Sequence, residues 1–205
     1  MPSDQSCLVV VPLRSFDGPK TRLSEVLSPE ERVDLTRRLA DGVMASLASH
    51  VTAVVTNDAD VREWAAQWGA EVVEPATPGL DAAASAGRDH AAAGGYAQVA
   101  VVHADLAAPG DLSATLTHCG APDRVDVVAG VPDHRNDGTN VLVVPTSAAF
   151  RFHYGPGSFD RHATEAARLG LAFEAVLGTS LGHDVDTAED LAWYVRSARG
   201  PSMPT

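Results

Sequence analysis

The chain has 205 residues, enough for a sizeable core in a single domain spanning 1–205. A formal charge of −12 leaves no basic face of the kind nucleic acid or an anionic membrane requires, but it allows a small anion in a local basic pocket. No apolar run approaches the roughly 20 residues of a bilayer span, and "MPSDQSC" has neither the basic start nor the apolar stretch of a secretory leader.

In chain order, "CLVVV" (7–11) is short, continuous and Val-rich, the pattern of a buried strand. The segment 28–50 reads as a long helix, with Ser28 as N-cap, Pro29 in the first turn and Glu31 completing a capping box. A strand follows at 52–56, then a helix at 58–69 capped by Asp58 and ended by Gly69. "EVVE" is a short strand, 79–95 a helix, 98–105 the clearest strand, and 109–119 a helix. "VDVVAGVP" and "TNVLVVP" are strands on either side of a polar loop. A helix at 157–170, the strand "LAFEAVL" and a helix at 187–200 complete the order, and the tail "PSMPT" is expected to fray. Alternation of this kind predicts a three-layer α/β domain on a mostly parallel sheet. Ligands of such sheets bind beyond the carboxyl ends of the strands.

The first strand runs into "VPLRSFDGPKTRLS", which carries Arg14, Lys20 and Arg22, and Lys20 is the only lysine of the chain. Three cations within nine residues predict a polyphosphate clamp, although the P-loop pattern is absent. The fourth strand ends in "VVHADL", where Asp105 suits Mg²⁺ or a helix cap, and His103 reads as a packed strand histidine. In "GHDVDTAEDL", Asp184 and Asp186 point the same way from an extended segment and need a shared cation or proton. Thr187 and Asp190 account for the helix start there. "DGTNVL" and "YGPGSFDRH" have the character of anion loops. Thr139 stands in the first; Gly155 and Gly157 allow close approach, and Ser158 opens a helix whose free N–H groups attract an anion. His162 and Arg161, one turn on, either reach that anion or face solvent. A basic loop, a split acidic set for Mg²⁺ and a second anion loop point together to phosphoryl or nucleotidyl transfer. The two cysteines lack any metal-type spacing, as in a reduced, cytoplasmic protein.

Those five stretches, "VPLRSFDGPKTRLS", "VVHADL", "DGTNVLVVP", "YGPGSFDRH" and "DVDTAEDL" in this order, resemble the 2-phospho-L-lactate guanylyltransferase family of coenzyme F-420 biosynthesis. The resemblance covers nearly the whole chain. It implies a nucleotide-diphospho-sugar transferase, or GT-A-like, fold. The implied reaction joins GMP from GTP to a phospho-acid and releases pyrophosphate, with phosphoenolpyruvate favoured over 2-phospho-L-lactate. By the same resemblance, Lys20 and Arg22 hold the triphosphate, Asp105, Asp184 and Asp186 hold Mg²⁺, and Thr139, Gly155 and Ser158 hold the phospho-acid carboxylate. Four positions depart from the family pattern: Arg14 for lysine, Asp81 for the Asn of "GLN", Ala107 for the Pro of "ADLP", and Asp137 for glycine. Asp81 and Asp137 bear on base and phospho-acid choice. Two competing readings stand: a nucleotidyltransferase of the same fold with another NTP or phospho-substrate, and a non-catalytic nucleotide-binding module. The oligomeric state, a homodimer included, is not legible.

Overall fold

A computed structural model describes residues 6–17 and 20–198. The tail 201–205 and the last two residues of the helix expected over 187–200 lie outside them, as do Gly18 and Pro19 of the basic loop.

Seven strands form one sheet: β1 (Cys7–Pro12), β2 (Thr52–Val55), β3 (Glu71–Val73), β4 (Gln98–Val102), β5 (Val127–Pro132), β6 (Thr139–Pro145) and β7 (Ala172–Ala175), in the spatial order β3-β2-β1-β4-β6-β5-β7. All neighbours are parallel except β6, which runs antiparallel to both β4 and β5. The expectation of a mostly parallel sheet therefore holds with one reversed strand. That reversal puts the start of β6, Thr139, at the same edge as the carboxyl ends of β1 and β4.

The helices are α1 (Pro29–Ser46), α2 (Ala59–Gln67), α3 (Leu80–Ala93), α4 (Leu112–Cys119), α5 (Ser158–Arg168) and α6 (Ala188–Ala198). The capping box of Ser28 and Glu31 and the Asp58 cap form as the sequence predicts. Side-chain alternation along β1 divides the core. Val9 and Val11 pack with α1, α2 and α4, while Leu8 and Val10 face the layer of α3 and α5. Gly87 lets α3 lie close on the sheet, since a Cβ there would stand 2.5 Å from Val10 Cγ1. A third cluster, Leu23, Leu35, Leu39 and Val185, joins the basic loop and α1 to the segment before α6. Among the described residues, no helix is long and apolar enough to cross a membrane.

Strand β4 stops at Val102, three residues before the predicted end. Its ladder continues for one bond, His103 N–H to Asn140 O. The chain then leaves β6 and Leu106 pairs in an isolated antiparallel bridge with Asp184. That bridge, with Ala107 N–H donating to His183 O and Val185 N–H to Asp105 O, binds the two acidic segments side by side.

Candidate active site

Lys20 adopts the left-handed conformation (φ 61°, ψ 40°), which a lysine rarely does without tertiary support. The support is at the far end of its side chain. Its Nζ donates to Asp105 Oδ2 at 3.0 Å and to the Val185 carbonyl at 2.5 Å, and lies 3.6 Å from Asp186 Oδ1. The Lys20 side chain is 3% exposed; those of Asp105 and Asp186 are 29% and 44% exposed. The lysine thus turns inward onto the acidic residues, whereas Arg14 and Arg22 remain on the surface and form no ion pair among the described residues.

Burial is the largest single effect on the Asp105 carboxyl and pushes it up, but the charges of Lys20 and His103, the Lys20 hydrogen bond and a backbone hydrogen bond together outweigh it, and the net effect is a lowered pKa. Asp184 goes the other way: burial raises it, and the charges of Asp105 and Asp186 raise it further. Its Oδ1 is buried with no partner. Among the described residues, no three acidic or histidine side chains already converge as a metal cage, because Asp105 and Asp186 close on the ammonium instead. The donor set nevertheless fits Mg²⁺. It is all oxygen, one oxygen lacks any partner, and Mg²⁺ commonly takes only one or two protein carboxylates beside substrate phosphates.

The second anion loop is built around a histidine. Thr139 Oγ1 lies 3.1 Å from both Ser158 Oγ and His162 Nδ1, and all three residues are buried. His162 Nε2 accepts from the His153 N–H at 3.0 Å, so the hydrogen must sit on Nδ1 and point at Thr139. Burial, with His153, Arg161 and His103 nearby, pulls the His162 pKa down to about 3, and the ring is neutral. His162 is thus an internal strut and does not face solvent. Arg161 folds back onto the carbonyls of His153, Tyr154 and Pro156. Gly155 (φ 103°) and Gly157 (φ 70°) are required by their backbone conformation. A Cβ at either would meet only the Arg161 guanidinium, at 3.9 and 3.6 Å, so bare space is not the reason.

The expectation of free N–H groups at the start of α5 needs correction. Gly157 N–H donates to Asp137 Oδ1 at 3.0 Å, Ser158 N–H to Gly155 O and Phe159 N–H to Asp137 O. Asp137 supplies the local negative charge itself. Asp81 is a comparable anchor. Its Oδ1 accepts from Tyr154 N–H at 2.7 Å and ties the start of α3 to the loop. An Asn oxygen would serve equally there. Neither anchoring role was legible from the residue types, since both partners are distant backbone groups. Thr187 and Asp190 form the expected reciprocal cap, and Arg135 pairs with Asp190 at 3.1 Å.

The same edge thus carries inward and surface cations, three carboxylates and a hydroxyl–imidazole chain. Residues 7–196 match the sequence profile of the family described as guanylyl transferase CofC like. The chain belongs to this family. A phosphoenolpyruvate guanylyltransferase of Rubrobacter xylanophilus is 33% identical to this family member over 91% of the chain and 92% of the relative. A 2-phospho-L-lactate guanylyltransferase of Methanothermobacter thermautotrophicus is 33% identical over 93% and 85%. Among solved structures, a protein of Desulfovibrio desulfuricans G20 assigned as a nucleotide-diphospho-sugar transferase superposes with a TM-score of 0.77 at 18% identity, covering 97% of this chain and 90% of that one. The last likeness shows the fold: the predicted nucleotide-diphospho-sugar transferase architecture is present.

Proposed function

We propose that the protein joins GMP from GTP to a small phospho-acid, phosphoenolpyruvate first and 2-phospho-L-lactate second, as a step of coenzyme F-420 biosynthesis. The observation that carries this is the family match over residues 7–196, on a chain whose five motif stretches converge at one sheet edge. A phosphate oxygen of the phospho-acid attacks the α-phosphorus of GTP, the bond to the β-phosphate oxygen breaks, and pyrophosphate leaves. No covalent bond to the protein is needed, so the work of the side chains is positioning and charge neutralisation.

Arg14 and Arg22, exposed and without ion-pair partners among the described residues, suit the triphosphate tail. Lys20 keeps Asp105 and Asp186 together before ligands arrive and remains within reach of a phosphate oxygen at that point. Asp105, Asp184 and Asp186 would hold Mg²⁺, which would neutralise phosphate charge at the reacting centre. Thr139 and Ser158, braced by neutral His162, offer hydroxyls to the phospho-acid beside the Gly155–Gly157 turn. The Asp81 tether serves the loop whichever base is bound and gives no reason to prefer another nucleotide.

The test is pyrophosphate release from each of four NTPs against phosphoenolpyruvate, 2-phospho-L-lactate and 3-phosphoglycerate, with and without Mg²⁺. GTP with phosphoenolpyruvate is expected to lead, and only with Mg²⁺. Turnover led by CTP would favour the sister activity of the same fold. No turnover with any pair would leave a nucleotide-binding module.

A further inference from the structure

Seven buried side-chain polar atoms lack a hydrogen-bond partner among the described residues, and three of them cluster: His103 Nε2, Tyr154 Oη and Asp184 Oδ1. The His103 and Tyr154 rings lie 5.4 Å apart, tilted by 39°. The Leu106–Asp184 bridge and the Val185 N–H bond to Asp105 O bring Asp184 alongside the segment that His103 opens, and the His103 charge draws its carboxyl down against the stronger upward effects of burial and the two neighbouring carboxylates. Asp184 Oδ1 is accounted for by the cation site. His103 Nε2 and Tyr154 Oη are not accounted for by anything in the fold.

Tyr154 is held in place without its hydroxyl. Its ring stacks on Phe152 at 6.1 Å and meets the edge of His162 at 4.9 Å, and its N–H is tied to Asp81. Phenylalanine would satisfy all three contacts and would leave no unpaired hydroxyl in the interior, an arrangement that folding disfavours. Burial and the Asp81 charge hold the phenol pKa well above its usual range, so the group is a donor. A donor that is fixed, buried and unpaired awaits an acceptor oxygen. It lies at the head of the Gly155–Gly157 turn, against His162 of the Thr139–Ser158 chain.

We propose that Tyr154 Oη and His103 Nε2 contact the phospho-acid directly, taking oxygens of its anionic end. The proposal rests on the guanylyltransferase reading above and extends the site by two residues that belong to neither the acidic nor the hydroxyl set.

Tyr154→Phe separates this role from a structural one. It is expected to raise KM for phosphoenolpyruvate roughly tenfold, as for loss of a hydrogen bond to an anion, with KM for GTP within about twofold. Its thermal midpoint should equal or exceed that of the wild type, because no paired group is lost. His103→Leu should raise the same KM, and His103→Gln, with an amide nitrogen near the Nε2 position, should recover most of it. A lowered midpoint with unchanged kinetics would mean that the hydroxyl is paired inside the fold, and the proposal falls. It also falls if KM for GTP moves instead. Calorimetric binding of phosphoenolpyruvate, in the presence of a GTP analogue that cannot be cleaved next to the α-phosphorus, separates the two readings. A wild type that binds phosphoenolpyruvate more tightly than Tyr154→Phe but releases no pyrophosphate keeps the contact and loses the transfer reaction. A wild type that turns over, with Tyr154→Phe binding equally well, loses the contact alone. If the wild type neither binds nor turns over the phospho-acid, both are lost.

Discussion

Two asparagine substitutions in the acidic set should change stability in opposite directions. Asp105 is the nearest counter-charge of a lysine that is 3% exposed. Asp105→Asn keeps the shape and leaves that ammonium with only Asp186 at 3.6 Å. Breaking a fully buried pair costs about 3–5 kcal/mol. Asp105 is 29% exposed and Asp186 remains in part, so about 1–3 kcal/mol is the scale here. For a chain of this size that lowers the melting midpoint by roughly 3–10 °C. Asp184→Asn removes a carboxylate that burial and two like charges disfavour, and should raise the midpoint by a few degrees, on the order of 1 kcal/mol. The pH dependence differs in sign. Asp105, held low, contributes stability above the unfolded carboxylate pKa and loses it as pH falls through its folded value. Asp184, held high, has its favourable contribution at low pH and loses it as pH rises through its folded value. The advantage of Asp184→Asn should therefore shrink on acidification. Thermal unfolding in chelator at neutral pH and at about pH 4, with Lys20→Met/Asp105→Asn as the neutral double variant, reads all of this. Saturating Mg²⁺ should then favour the wild type over both single variants. If Asp105→Asn melts at or above the wild type in chelator, the inward lysine is not held by that pair and the reasoning fails.

Gly87→Ala should cost about 1–3 kcal/mol in urea unfolding, because the new Cβ stands 2.5 Å from Val10 Cγ1 and α3 must lift off the sheet. Asp137→Ala removes the acceptor of the Gly157 N–H and should raise KM for the phospho-acid several-fold while leaving that for GTP unchanged, in initial-rate kinetics varying each substrate in turn.

Local signals were legible in the sequence and long-range geometry was not. The order of strands and helices followed from apolar period, and the caps at Ser28, Asp58 and Thr187 from residue type, since each involves neighbours within four positions. The direction of β6 was not legible, because an apolar run has the same pattern read either way. Asp105, Asp184 and Asp186 reach one edge as the alternation implied. The direction of Lys20 could not be read: a cation on a loop suggests solvent and phosphate, and its turn inward depends on partners 85 and 165 residues away. The same holds for Asp137, whose carboxylate caps a helix starting some twenty residues later. A Lys20→Ala variant is expected to lose stability as well as activity for this reason.

The inward lysine has a practical consequence. With one lysine in the chain, an amine-acylating reagent has a single side chain to find, and that amine is shielded and triply engaged. Acylation of Lys20 must wait for its contacts with Asp105, Val185 and Asp186 to open. Its rate, followed by mass spectrometry against that of the α-amino group, is then a clock for opening of the acidic edge, and a nucleotide bound at that edge should slow only the lysine.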